Sequence, residues 1–108
     1  PRVIYEQAVR NFRQTFYTAL SEVENQLSAR QHYLNAGTQL SRSLLLAQQT
    51  ETISAVRYQA GDIEMQSWLD QQENRRSAEK SLLENHYQQL TTQMALYQAL
   101  GGNPAQTH

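Results

Sequence analysis

The fold is decided by the five residues Tyr58-Gln59-Ala60-Gly61-Asp62, which separate two long helical patterns. Gly61 can adopt the left-handed backbone conformation that ends many helices. Asp62 can then accept hydrogen bonds from the free amides at the start of the next helix. We therefore predict a turn over residues 59–62 that joins two antiparallel helices.

The pattern before this turn predicts one long helix over residues 4–58. Apolar or small side chains recur there at the spacing of a helix face, close to a heptad: Val9, Phe12, Phe16, Ala19, Val23, Leu27, Leu34, Leu40, Leu44 and Ala47. Globular helices average about 11–12 residues, so a run this long is typical of a coiled coil or a helical array. Gly37 is its weak point, which leaves open a kink, a close helix–helix contact, or a break that gives three helices.

The pattern after the turn predicts a second helix over residues 63–100. Its apolar positions are Met65, Leu69, Leu83, Leu90, Met94, Tyr97 and Leu100. The sequence Gly101-Gly102-Asn103-Pro104 should end it, and the tail 104–108 has no pattern. Residues 70–76 contain almost nothing apolar, which predicts a solvated segment or one that faces water inside an assembly. The fold class is all-α, a long antiparallel α-helical hairpin resembling a coiled coil and spanning residues 1–103.

The composition limits what the chain can be. Its 108 residues allow at most one small domain, and only 39% of them are hydrophobic, so partners are expected. Nine basic and ten acidic residues give a net charge of −1 with no basic stripe, which argues against nucleic acid. The sequence has no run of roughly 18 apolar residues that could span a membrane. Either the protein is soluble or its targeting and membrane parts lie outside this sequence.

Residues that could carry enzyme chemistry are scattered. There is no Cys, and His32, His86 and His108 form no metal-binding helix motif such as His-Glu-x-x-His. No Gly-x-Ser-x-Gly elbow and no Gly-rich phosphate loop occur. We therefore expect no enzyme activity, no metal site and no cofactor.

Several blocks of the sequence resemble the second half of TolC-like outer membrane factors. In chain order they are Tyr5-Glu6-Gln7-Ala8-Val9, Phe16, Ser21-Glu22-Val23-Glu24-Asn25-Gln26-Leu27, Arg57-Tyr58-Gln59-Ala60-Gly61, Leu69-Asp70, and Ala95-Leu96-Tyr97-Gln98-Ala99-Leu100-Gly101-Gly102. The blocks occur in the order and at the spacing of that family, and together they cover nearly the whole chain. Each block alone is a weak signal, and their succession carries the resemblance.

The resemblance implies that the hairpin is a fragment of a trimeric α-helical barrel. Such a protein is an outer membrane channel for tripartite efflux or type I secretion, located in the cell outer membrane of a Gram-negative bacterium. This segment would lie in the periplasm, and the protein would enter the membrane only through parts absent here. The implied partners are two further copies of the same protein, a periplasmic adaptor (membrane fusion) protein and an inner-membrane pump.

The resemblance also implies roles for residues at the hairpin tip. Tyr58 and Asp70 would act in gating, with Asp70 forming part of a carboxylate ring in the constriction. Ala60, Gly61 and Asp62 would contact the adaptor. Plainer interpretations stay open, since Tyr58 could simply pack, Gly61 could simply stop a helix, and Asp70 could be a solvated residue that the helix dipole favours.

Two neighbouring residues complete this interpretation of the tip. Trp68, the sole tryptophan, is expected to anchor helix–helix packing. Ile63 departs from the family pattern, where a polar or basic residue can bridge to an adjacent hairpin, so a salt-bridge latch at that position is doubtful.

The alternative function from another class is a self-contained helical-hairpin coiled-coil binding or secreted module. The parent gene distinguishes them, because a channel needs a signal peptide, a first repeat and barrel strands upstream or around this segment.

Overall fold

The computed structural model describes residues 2–101 and contains two helices, α1 (Arg2–Gln59) and α2 (Met65–Ala99). No strand occurs within that range, so the predicted all-α hairpin is confirmed. The chain divides into two compact units, Tyr33–Gln89 and Pro1–His32 with Leu90–His108. Residues 102–104 of the predicted stop and the tail 104–108 lie outside the described residues.

Helices of 58 and 35 residues follow from the choice of residues. Proline is absent from both, and most positions carry Ala, Leu, Gln, Glu or Arg, which have high helix propensity. The only glycine inside either helix is Gly37, and α1 continues through it. The alternatives of a break at Gly37 and of three helices are therefore wrong. Neither described helix has a stretch long and apolar enough to cross a membrane.

Gly61 ends α1 through a Schellman motif. Its φ is +81°, its amide donates to the carbonyl of Tyr58 at 3.0 Å, and the amide of Asp62 donates to the carbonyl of Arg57 at 2.9 Å. These two bonds satisfy carbonyls that the end of a helix would otherwise leave without a partner. The predicted role of Gly61 as a helix stop is confirmed. Gly101, at φ +87°, follows the end of α2.

Replacing Gly61 with alanine tests this turn. A Cβ at Gly61 would meet no atom within 4 Å, so the expected cost comes from the positive φ alone. We expect Gly61→Ala to lower the free energy of unfolding by about 1–2 kcal/mol. Gly61→Asn should cost less, because Asn tolerates the left-handed region better than Ala. Urea unfolding followed by circular dichroism measures both, and equal losses for Ala and Asn would contradict the backbone explanation.

The start of α2 corrects one prediction. The carbonyl of Glu64 accepts from the amides of Ser67 at 3.1 Å and Trp68 at 3.4 Å, so Glu64 occupies the N-cap position and the helix begins at Met65. Asp62 was predicted to cap α2, and that prediction is wrong. The reason is geometric: the amide of Asp62 still closes α1, and two more residues are needed to reverse the chain direction.

Within the unit Tyr33–Gln89, the two helices meet along a narrow seam of half-buried and buried residues. On α1 the seam consists of Tyr33, Gly37, Leu40, Leu44, Ala47, Glu51, Ser54 and Tyr58, and on α2 of Trp68, Gln72, Arg75, Ala78, Leu82, Asn85 and Gln89. The steps between successive seam residues are three or four, as in a coiled coil. Many of these side chains are small or polar. No hydrophobic residue among the described ones is fully buried.

Most large apolar side chains lie outside this seam. The apolar stripe that the sequence predicted for α2 is exposed at every position: Met65, Leu69, Leu83, Leu90, Met94, Tyr97 and Leu100. The α1 stripe is divided, because Leu40 and Leu44 are half-buried whereas Phe12 and Phe16 are exposed. The apolar periodicity therefore correctly predicts that this region is helical, but it does not predict the face along which α2 packs on α1.

Candidate functional site at the hairpin tip

The predicted adaptor-contact residues form the turn itself. Ala60, Gly61 and Asp62 are all exposed, and their backbone is fixed by the hydrogen bonds that end α1. Neither Ala60 nor Gly61 has a side chain larger than a methyl group. The turn is therefore an exposed, hydrogen-bonded surface, and Ala60 and Gly61 are small enough for another backbone to approach closely.

Tyr58 and Trp68 stack across the turn. Their ring centroids are 5.1 Å apart and the ring planes differ by 13°. Tyr58 lies in the last turn of α1 and Trp68 in the first turn of α2, and both are half-buried. The prediction that Trp68 anchors helix–helix packing is confirmed. Tyr58 supplies the other half of this contact, while its part in gating stays a prediction.

Asp70 lies in the second turn of α2 and is exposed. One carboxylate oxygen, Oδ1, accepts a hydrogen bond from Nε2 of Gln66 at 2.8 Å, one helical turn earlier. The carboxylate therefore stays on the surface of the hairpin, with its orientation restricted by Gln66. An exposed, oriented carboxylate near a hairpin tip can attract cations and repel anions.

Arg75 links the two helices beyond Asp70. Its Nε donates to Oε2 of Glu51 on α1 at 2.6 Å, and its Nη1 donates to Oε2 of Glu79 on α2 at 3.2 Å. The hydrogen bond to Glu51 is the main factor that raises the pKa of Arg75, so the guanidinium keeps its charge. This pair was not predicted from the sequence, which indicated that residues 70–76 are a solvated segment or one that faces water inside an assembly. Within that segment Arg75 is half-buried, since only 24% of its side chain is exposed.

A second polar contact lies farther from the tip, at Gly37. Nδ2 of Asn85 donates to the carbonyl of Tyr33 at 2.9 Å, and Nε2 of Gln89 donates to Oδ1 of Asn85 at 2.7 Å. A Cβ at Gly37 would lie 2.7 Å from Oδ1 of Asn85, so the absent side chain makes room for this amide. The close helix–helix contact, one of the three alternatives for Gly37, is thus observed.

Side chains that could bind a metal ion do not gather in the described part of the chain. No group of three or more His, Cys, Asp or Glu within residues 2–101 could hold such an ion. Two concavities, of about 450 and 400 Å³, are each lined by one stretch of one helix and are therefore surface grooves. What the tip does offer is an exposed turn, an oriented carboxylate and two cross-helix contacts.

These features define the chain as an all-α helical hairpin with a coiled-coil-like seam and polar contacts near its tip. The chain is 35% identical over 95 residues to three proteins of Pseudomonas putida: a probable efflux pump outer membrane protein TtgC, the antibiotic efflux pump outer membrane protein ArpC, and the toluene efflux pump outer membrane protein TtgC of a second strain. The similarity covers 87% of this chain, and the resemblance to TolC-like outer membrane factors is confirmed.

The chain spans about a fifth of the length of these relatives, since the aligned part is 19% of each. No protein-family model matches the chain. No solved structure matches it significantly. The similarity therefore concerns one segment of proteins whose names describe outer membrane components of efflux pumps.

Proposed function

We propose that this chain is a periplasmic hairpin of an outer membrane channel that serves tripartite efflux or type I secretion. The observation that carries the proposal is the 35% identity to outer membrane efflux proteins, which extends over both helices and the turn between them. The exposed apolar side chains support it, because a hairpin that belongs to a larger helical assembly needs apolar flanks for its neighbours. In this proposal the full-length protein is a homotrimer in the cell outer membrane.

The proposed role of the tip is to close the periplasmic end of the channel. Asp70 is exposed and accepts one hydrogen bond from Gln66, so its carboxylate is available at the surface of the hairpin. Three copies around a threefold axis would bring three carboxylates together, and such a ring narrows the passage and selects for cations. Tyr58 would contribute by keeping the end of α1 against α2 through its stack on Trp68.

The proposed role of the turn is to contact the periplasmic adaptor. Ala60, Gly61 and Asp62 are exposed, and the amide of each donates to a carbonyl of the last turn of α1. Small residues such as Ala60 and Gly61 allow the close approach of a second backbone, which suits the tip of another hairpin. The adaptor would join this channel to an inner-membrane pump.

Single-channel conductance of the full-length protein in planar bilayers tests the proposal. We expect a low conductance that rises several-fold in Asp70→Ala, because the substitution removes a ring of charge from the constriction. Glu84→Ala is the matched control, since Glu84 is also an exposed carboxylate of α2 but lies about four turns from Asp70.

Other outcomes of that experiment have separate meanings. A pore whose conductance Asp70→Ala leaves unchanged would keep the channel and remove Asp70 from the gate. The absence of any pore, from protein that is well folded, would refute the channel. A self-contained coiled-coil binding module would then be the better account of the hairpin.

A further inference from the structure

Asp70 is flanked along α2 by two contacts that reach across to α1. The Tyr58–Trp68 stack lies two residues before it, and the Glu51–Arg75 ion pair lies five residues after it. All five residues are in the compact unit Tyr33–Gln89. The short stretch of α2 that carries Asp70 is therefore fastened to α1 at both ends.

We propose that Arg75 and Glu51 are positioning residues for the Asp70 gate. In the closed channel their ion pair holds the Asp70 stretch of α2 against α1, and loss of the pair lets that stretch move outward. The inference rests on the proposed function and adds to it a gate-positioning contact inside the hairpin, at a distance from the turn. This contact joins α1 and α2 of one hairpin, whereas the family's bridge at the position of Ile63 would join two neighbouring hairpins.

The connectivity of the ion pairs supports this role. Arg75 and Glu51 are 24 residues apart in sequence and join the two helices. The pairs Arg2–Glu6, Arg75–Glu79 and Arg76–Glu73 each lie within one helix and cannot hold the helices together. A contact of 2.6 Å between a guanidinium and a carboxylate is a charge-assisted hydrogen bond, which is stronger than a neutral one.

The surroundings of Arg75 make the pair sensitive to a change of charge. The side chains of Arg75 and Glu51 are each 24% exposed, whereas those of Arg76 and Glu73 are 59% and 74% exposed. Water therefore screens the Glu51–Arg75 pair less than it screens the Arg76–Glu73 pair. The facing charged groups are Glu51 on α1 and Glu79 on α2. A carboxylate at position 75 would therefore face two others, and repulsion would push α2 away from α1.

Charge reversal in the full-length channel tests the proposal by conductance in planar bilayers. We expect Arg75→Glu to raise the conductance several-fold. Glu51→Arg should raise it less, because Glu79 still neutralises part of the charge on Arg75. The double variant Glu51→Arg with Arg75→Glu restores opposite charges across the seam and should return the conductance most of the way to the wild-type value. Arg76→Glu is the matched control and should leave it unchanged.

The outcomes distinguish this proposal from the proposed function. If Asp70→Ala raises the conductance but Arg75→Glu does not, the gate stands and the positioning role is refuted. If Arg75→Glu raises the conductance and the double variant does not lower it again, the positioning role of the ion pair is refuted, because loss of the Arg75 side chain alone would explain the result. If no variant and no wild-type protein conducts, the channel itself is refuted. Should Arg75→Glu fail to form trimers, the neutral variants Arg75→Gln and Arg76→Gln are compared instead. The proposal expects a higher conductance for Arg75→Gln, and equal conductances would overturn it.

Discussion

Replacing Gly37 with leucine is expected to separate the helices near the middle of the hairpin. The Cβ alone would approach Oδ1 of Asn85 to 2.7 Å and Nε2 of Gln89 to 2.8 Å, and the rest of the side chain needs further space. Overpacking and the loss of a buried hydrogen bond each cost about 1–3 kcal/mol, against a gain of about 1 kcal/mol in helix propensity. We expect the free energy of unfolding to fall by about 2–4 kcal/mol, measured by urea unfolding with circular dichroism.

The control for Gly37→Leu is Ser41→Leu, an exposed position on the same helix, which should change stability by less than about 0.5 kcal/mol. The sign of the effect of Gly37→Ala on stability provides a sharper check. Once Asn85→Ala and Gln89→Ala have removed both obstructing amides, Gly37→Ala should stabilise the hairpin by up to about 1 kcal/mol, because its helix propensity then dominates. If Gly37→Ala has the same effect with and without these two amides, the proposed contact does not determine the cost.

Removing the ring of Trp68 is expected to cause the second largest decrease in the free energy of unfolding. Trp68 stacks on Tyr58 at a centroid distance of 5.1 Å, and both rings are half-buried, so the cost should be below that of a fully buried tryptophan. We expect Trp68→Ala to lower the free energy of unfolding by roughly 2–3 kcal/mol. Urea unfolding followed by circular dichroism measures it, because the variant has no tryptophan fluorescence.

Two variants show whether the stack itself is responsible. Trp68→Phe keeps a ring against Tyr58 and should lose less than half as much stability as Trp68→Ala. Phe12→Ala removes an aromatic side chain that is 71% exposed and should have little effect on the isolated chain. Additive losses for Tyr58→Ala and Trp68→Ala would mean that the two rings are not energetically coupled.

The tip site was predictable where local backbone chemistry determines it. Gly61 was identified as a helix stop because few residues other than glycine adopt its positive φ, and the turn residues and Asp70 followed from the resemblance. The Glu51–Arg75 pair was not predicted. The two residues lie at nearly equal distances from the turn, but polar residues are common throughout both helices, so equal distance does not select one pair. The same is true of Asn85, which donates to the backbone carbonyl of Tyr33 beside Gly37, because neither a backbone carbonyl nor a missing side chain indicates a partner in the sequence.

The sequence by itself determined two long helices and the turn between them. Helix propensity, the absence of proline and a glycine at the turn act over a few neighbouring residues, so they can be recognised without the fold. Only the tertiary structure decided which face of each helix meets the other. Apolar periodicity favours the most hydrophobic face, but in this hairpin that face of α2 is exposed and the seam contains Gly37, Asn85, Arg75 and Glu51. Close approach of two backbones requires small side chains and satisfied polar groups, and whether these are satisfied depends on partners that are distant in sequence.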